Sequence, residues 1–274
     1  MKPALRPAAR YWGWVRIGVG VLLLLRTTPL LAPLDIAWLR SAAPLLGWPQ
    51  GGFSLGFLGA STIQMACIVR TVAAVLFTLG LWTRAAGVVC GLAGFLIAAQ
   101  YPLGFFFTIH LLYQAAILLA FTDAAAHLAL RPAAPTPGGD GGGLMRAFVA
   151  SIYLWAGLYK LRPDWLDGRT LLLFHRPAAL HGWLVDWAFA IPWLPPLLAK
   201  LIAGFELGIG PLLLWTRTRA IALAVALAFH VVLELTAQPD LLGFGMMVLL
   251  LSFLLPPTLE ARHKYVKVGE PVPR

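Results

Sequence analysis

Charge is what this chain has least of. Only 12% of its 274 residues are Asp, Glu, Lys or Arg, while 60% are hydrophobic. A soluble domain carries about 25% charged residues. No water-soluble shape of this length can hide so much apolar surface, so the expected solvent is the bilayer. Cysteine is scarce too. Cys67 and Cys90 stand far apart in apolar runs, with no Cys-x-x-Cys. That excludes a dithiol redox centre and a cysteine zinc site, leaves packing as their role, and gives no reason to expect a metal. Acidic residues number 11 against 21 basic ones, a formal charge of +10. Such an excess often marks a nucleic-acid binder. Here the basic residues fall in short stretches between apolar runs, so topology accounts for them and no nucleic-acid partner is expected. There is no internal repeat.

Long apolar runs are what remains. A span needs about 20 apolar residues, and candidates lie near 12–33, 61–82, 85–101, 104–122, 145–162, 196–215, 219–236 and 240–256. The expected fold is all-α, a polytopic transmembrane helical bundle of about eight spans. Residues 34–60 are broken by Pro44, Pro49, Gly51 and Gly52, and read as a loop with short interfacial helices. Tyr101 to Gly104 reads as a tight turn, and 132–143 as a flexible linker. The expected organisation is one membrane domain over 1–256 and a basic cytoplasmic tail over 257–274. The first run is expected to stay as an anchor. It is long for a signal peptide and has only a weak small-residue cleavage pattern.

Lys and Arg positions give an orientation. With the N-terminus in the cytoplasm, the inner side carries Lys2, Arg6, Arg10, Arg84, Arg131, Arg146, Arg217, Arg219, Arg262, Lys264, Lys267 and Arg274. The outer side carries Arg40, Arg162, Arg169, Arg176 and Lys200. Both termini are then cytoplasmic in an integral, multi-pass protein.

Polar groups at membrane depth are costly and point to function by default. Arg16 lies near the inner end, where it can snorkel. The orientation puts Arg26, Gln64, Arg70, His110, Gln114, Lys160, His230 and Glu234 in the outer half, with Glu206 near the middle. Each has a second reading. Arg26, Arg70 and Lys160 can snorkel to head groups. His110 and His230 can be buried neutral imidazoles linking helices. Glu206 can be the structural partner of an arginine. The long outer segment from Arg162 to Pro195 carries Trp165, Trp183, Trp187 and Trp193, which suit an interface belt, with Asp164, Asp167, His175, His181 and Asp186. Leu171 to Phe174 and Trp183 to Phe189 read as short helices on the membrane surface, either roofing a cavity or simply interfacial.

Three stretches resemble one family. Tyr153 to Gly168 has a span ending in Ala156-Gly157, then Lys160, Asp164-Trp165 and Gly168. His110 to Asp123 opens on His and closes on Phe-x-Asp. Phe229-His230 is followed by Gly245-Met246. These motifs resemble the HTTM family, the transmembrane domain shared with vitamin K-dependent γ-glutamyl carboxylase, over roughly residues 105–256. The N-terminal third is similar only in pattern, through an arginine-bearing first span and the Leu81-Trp82-Thr83-Arg84 turn. The resemblance implies a carboxylase/epoxidase-like protein in which Lys160 deprotonates a lipid quinol and His110 serves the oxygenation and epoxide step. The quinol would be reduced vitamin K or a menaquinol, a lipid cosubstrate entering from the membrane. Arg70, Tyr153, Trp165, His230 and Glu206 are the expected substrate-binding residues. The carboxylase carries a large extramembrane domain where this chain ends at Arg274. Oxygenation of a lipophilic quinol is therefore expected more readily than carboxylation of a peptide or protein substrate. A non-enzymatic lipid- or quinone-binding, transport or assembly protein is the alternative.

Overall fold

A chain this poor in charge can bury its backbone only by satisfying each N–H and C=O within the segment, and the helix does that. The computed structural model describes residues 7–27, 59–98, 107–134, 141–174, 186–187, 189–236 and 242–254. The expected Tyr101–Gly104 turn, the tail over 257–274, half of the 132–143 linker, and most of the 34–60 loop and the Trp183–Phe189 helix lie outside these residues. So do Arg40, His175, Arg176, His181 and the side chain of Arg26.

Among the described residues the chain is helical, without strands. The helices are α1 (Pro7–Thr27), α2 (Ala60–Leu79), α3 (Thr83–Ala98), α4 (Phe107–Leu119), α5 (Gly142–Tyr159), α6 (Pro163–Leu166), α7 (Arg169–Phe174), α8 (Leu194–Leu214), α9 (Arg219–Thr236) and α10 (Leu242–Leu250). Each of the eight apolar runs contains a helix. Two of these helices, over Ser61–Leu79 and Leu194–Leu214, are long and apolar enough to cross a membrane. Their outward faces are apolar as well. On α2, Ile63, Ala66, Arg70, Ala73 and Phe77 point inward while Met65, Val72 and Val75 are exposed. A helix apolar on both faces suits lipid rather than water.

The chain divides into two compact units, Met1–Gly142 and Gly143–Arg274. In the first, α2 and α3 are joined by a sharp corner. Gly80 adopts the left-handed conformation, φ 74°, and the N–H groups of Gly80 and Leu81 donate to Phe77 and Leu76. A side chain at Gly80 would also strike Ala129, so glycine is required twice over. Along α3, Gly87, Gly91 and Gly94 form a buried stripe. A Cβ at Gly87 would lie 2.6 Å from the Ala116 carbonyl, and one at Gly91 would lie 2.8 Å from that of Tyr113. Small residues thus let the α4 backbone come close, as in membrane helix pairs.

Arg16 does not snorkel. It is fully buried, and its guanidinium donates to the carbonyls of Ala124 at 2.5 Å, His127 at 3.3 Å and Leu128 at 2.5 Å. The short 3₁₀ turn Asp123–Ala125 and its exit leave these carbonyls inside, and one planar fork serves all three.

The second unit uses the same device. Arg219 donates to the carbonyls of Leu213 and Leu214, at 3.2 and 3.4 Å, and Thr218 donates to Leu212 at 2.7 Å. They satisfy the last turn of α8, where cationic groups are favoured. Glu234 does the converse, its carboxylate accepting the Gly243 N–H at 2.6 Å in the first turn of α10.

Replacing Arg16 by Met leaves three carbonyls, one buried and two half-buried, without their donor. The expected loss is about 3 kcal/mol or more, read as a lower Tm of the detergent-solubilised protein. An unchanged Tm would show that the loop carbonyls do not depend on Arg16.

Candidate functional site

Seven residues, about two helical turns, separate Tyr153 from Lys160, so both face the same side of α5 and its exit. Lys160 is the first residue past the helix, its N–H still bonded to Ala156 and Gly157. Opposite runs the buried stripe of α8: Ala199, Ala203, Glu206, Gly210 and Leu213. Gly157 permits the approach, since a Cβ there would lie 2.8 Å from the Leu207 nitrogen. The end of α5 is thereby set against the Glu206 turn. Lys160 Nζ meets Glu206 Oε2 at 2.5 Å, with the two side chains only 16% and 10% exposed.

Trp165 completes this group. Pro163 starts the single turn of α6, and the Trp165 indole donates to the Ala199 carbonyl at 3.2 Å. That bond pins the ring to α8 with its centroid 4.9 Å from Lys160 Nζ. The lysine head thus lies between a carboxylate and an aromatic face, both of which favour a cation. Just beyond, the exposed Asp167 carboxylate accepts the Arg169 backbone N–H at 3.0 Å and its Nε at 2.6 Å. The Arg169 backbone N–H, helped by its guanidinium, holds the Asp167 carboxyl below the usual carboxylate range.

A second polar pair lies deeper in the same unit. The Tyr153 hydroxyl and His230 Nε2 are 2.7 Å apart, and both residues are buried. Phe205, next to Glu206, packs edge-on to Tyr153 with centroids 6.5 Å apart, and lies 4.5 Å from Phe229. The other imidazole nitrogen of His230, Nδ1, is buried with no hydrogen-bond partner among the described residues. Lys160, Glu206, Trp165, Tyr153 and His230, all expected from the sequence, therefore form two polar pairs in one aromatic setting.

The remaining expected residues belong to the first unit. Arg70 on α2 donates to the Tyr113 hydroxyl at 3.0 Å. His110 is buried, its ring 5.8 Å from Phe95 and 6.4 Å from Tyr113. Lys160 and His110 thus lie in different compact units. The set of outer-half polar groups also thins. Gln64 and Gln114 are exposed on their helices, and Glu234 is a helix cap. Glu206 has a lysine, not an arginine, as its partner. Sequence reasoning passed over Tyr113 and Phe205, and took Phe229 only as part of a motif, with no role in the site. Tyr113 stands three residues after His110, on the same helix face, which was the one available signal.

Residues 142–256 match the HTTM domain family. The match holds Tyr153, Lys160, Trp165, Glu206 and His230, and begins after His110 and Arg70. With the two long apolar helices, it marks a membrane protein. No curated protein and no solved structure matches the chain.

Lys160→Met leaves a buried carboxylate unpaired and is expected to destabilise the protein by about 3–5 kcal/mol. Lys160→Met combined with Glu206→Met removes both charges and should recover most of that loss. Additive losses in thermal melts of the two single variants and the double variant would show that the pair contributes no coupling.

Proposed function

We propose that this protein is a membrane oxidoreductase of the vitamin K-dependent carboxylase/epoxidase type, acting on a lipid quinol with oxygen. The observation that carries the reading is the Lys160–Glu206 pair beside Trp165, inside the HTTM-matched residues. The side chains around the two pairs suit such a ligand. Trp165, Phe205 and Phe229 offer flat apolar surfaces, and His230 Nδ1 is free to bond one ring oxygen. Bound quinol of the reduced vitamin K or menaquinol kind supplies the electrons that reduce oxygen. Lys160 Nζ takes the hydroxyl proton, and it can do so only after its own ammonium proton has passed on. Glu206 is the acceptor in contact with it. Tyr153 and His230 orient the ring. Burial keeps water from the charged intermediate that proton removal creates. His110 keeps the oxygenation and epoxide role that the family resemblance implies. Glutamate carboxylation, and with it a peptide or protein substrate, is not needed by this reading.

A second reading is a non-enzymatic lipid- or quinone-binding, transport or assembly protein. What favours it is the pairing itself, since a lysine already matched by a carboxylate also serves as a helix-to-helix link. Oxygen uptake by the purified protein with reduced vitamin K or menaquinol separates the two. The expected result is turnover that falls about a hundredfold or more in Lys160→Ala. Equal rates would sink the assigned base. Tight quinol binding without turnover across a quinol panel would establish the second reading.

The proposed topology is eight spans, both termini cytoplasmic, with the Lys160 site in the outer leaflet. Its support is that each of the eight apolar runs contains a helix, and that basic residues gather at the α2–α3 and α8–α9 corners, at Arg84, Arg131, Arg217 and Arg219. In intact cells, an impermeant thiol reagent should label Asp167→Cys and spare Thr216→Cys. The opposite pattern would invert the orientation.

A further inference from the structure

A left-handed backbone conformation usually falls to glycine, and the α2–α3 corner follows that rule once and breaks it once. Gly80 lies at φ 74° and Trp82, two residues on, at φ 46°. A bulky side chain is strained there. Nor is the ring buried in return, since Trp82 is 60% exposed. Strain that is kept without burial turns attention to what the exposed ring does.

The corner is assembled from two stretches some 50 residues apart in the chain. The segment after α4 runs back across it. The N–H groups of Leu130 and Arg131 donate to the carbonyls of Leu79 and Gly80, at 3.0 and 3.3 Å. This sets the Arg131 guanidinium carbon 5.6 Å from the Trp82 ring centroid. Arg84 reaches the same segment and donates to the Ala134 carbonyl at 3.4 Å. Leu130, beside Arg131, is 70% exposed. One indole, one leucine and two arginines therefore share an exposed corner. No carboxylate pairs with Arg131 among the described residues. Residues 1–142 hold nine basic residues against three acidic ones, and one of the three, Asp123, is buried. Leading away from the corner, Val75 and Leu79 on α2 and Val89 and Leu92 on α3 are exposed. A cationic, aromatic end with apolar flanks matches the phosphate layer of a membrane and the hydrocarbon beneath it.

We propose that the Trp82–Arg131 corner, with Arg84, binds the head group of an anionic phospholipid whose acyl chains lie along the exposed apolar side chains of α2 and α3. Contact with the indole engages the face of the Arg131 guanidinium and leaves its in-plane N–H donors for phosphate oxygens. The head group then sits at the helix ends and the chains beside the helices. The proposal needs neither the Lys160 chemistry nor a choice of the leaflet that the corner faces.

The test is lipid retention by the full chain in mild detergent, read by native mass spectrometry beside thermal melts. Phosphatidylglycerol and phosphatidylcholine of matched chain length are the probes. The wild type should retain phosphatidylglycerol over phosphatidylcholine by about tenfold or more, and Arg131→Gln should cut that preference about fivefold. Trp82→Gly removes the ring and relieves the backbone, so retention should fall severalfold while Tm holds or rises. Equal retention of the two lipids by the wild type, or a preference unchanged in Arg131→Gln, would overturn the proposal. So would a lower Tm with unchanged retention in Trp82→Gly, which would make the ring purely structural. An equal loss in Arg217→Gln, at the other basic corner, would mean diffuse attraction to positive charge and would overturn it too. Inorganic phosphate that displaces the lipid as readily as phosphatidylglycerol does would mean a site for free oxyanions, again against the proposal.

Discussion

A carbonyl without a donor is hard to hide in an apolar protein, and this chain meets that constraint with charged side chains. Arg16 gathers three loop carbonyls after α4, and Arg219 satisfies the last turn of α8. Glu234 accepts an N–H that would otherwise be unpaired at the start of α10. These three residues close the ends of helices that have almost no other polar groups to close them. Part of the small charge complement is thus committed to holding backbone. The charged and polar groups used otherwise become correspondingly informative.

By that measure Lys160, Glu206, Tyr153 and His230 stand apart. None of their side-chain contacts described here satisfies a backbone group, and each meets another side chain across helices. Close backbone approach makes this possible. Gly157 lets α8 press on the end of α5, and Gly210 does the same two turns further along, where a Cβ would lie 2.7 Å from the Ala150 carbonyl. The Lys160–Glu206 pair is therefore set by a helix contact in which larger side chains would force α5 and α8 apart. Gly87, Gly91 and Gly94 play the equivalent part under Tyr113 in the first unit.

The helices were legible because apolar length and helix-breaking residues are local properties of sequence. The Leu81–Arg84 turn was in plain view, beside the Gly80 that makes the corner and that the 61–82 run had absorbed. The family motif around Lys160 was legible as well, and residues 142–256 bear it out. Partner choice was harder. Tyr153 and His230 are 77 residues apart in the chain, and Arg16 reaches carbonyls more than 100 residues away. Nothing in a run of apolar letters says that an arginine near a helix end turns inward to a loop instead of outward to head groups. The deciding factor was three unsatisfied carbonyls, a property of a loop whose path the sequence does not state. Glu206 shows the same limit, because a buried acid advertises its need for a cation without saying which one.

The pairing of Lys160 with Glu206 has a consequence for what enters the second unit. A site whose two opposite charges already cancel exerts little standing pull on ions in the surrounding water. What reaches it is sorted by partition into oil instead of by attraction across water. A neutral ring can slide in without disturbing the balance, whereas an ionised visitor would have to displace one partner from the other. For the proposed quinol, such an ion pair would act as a filter by polarity, and the bilayer would do the concentrating.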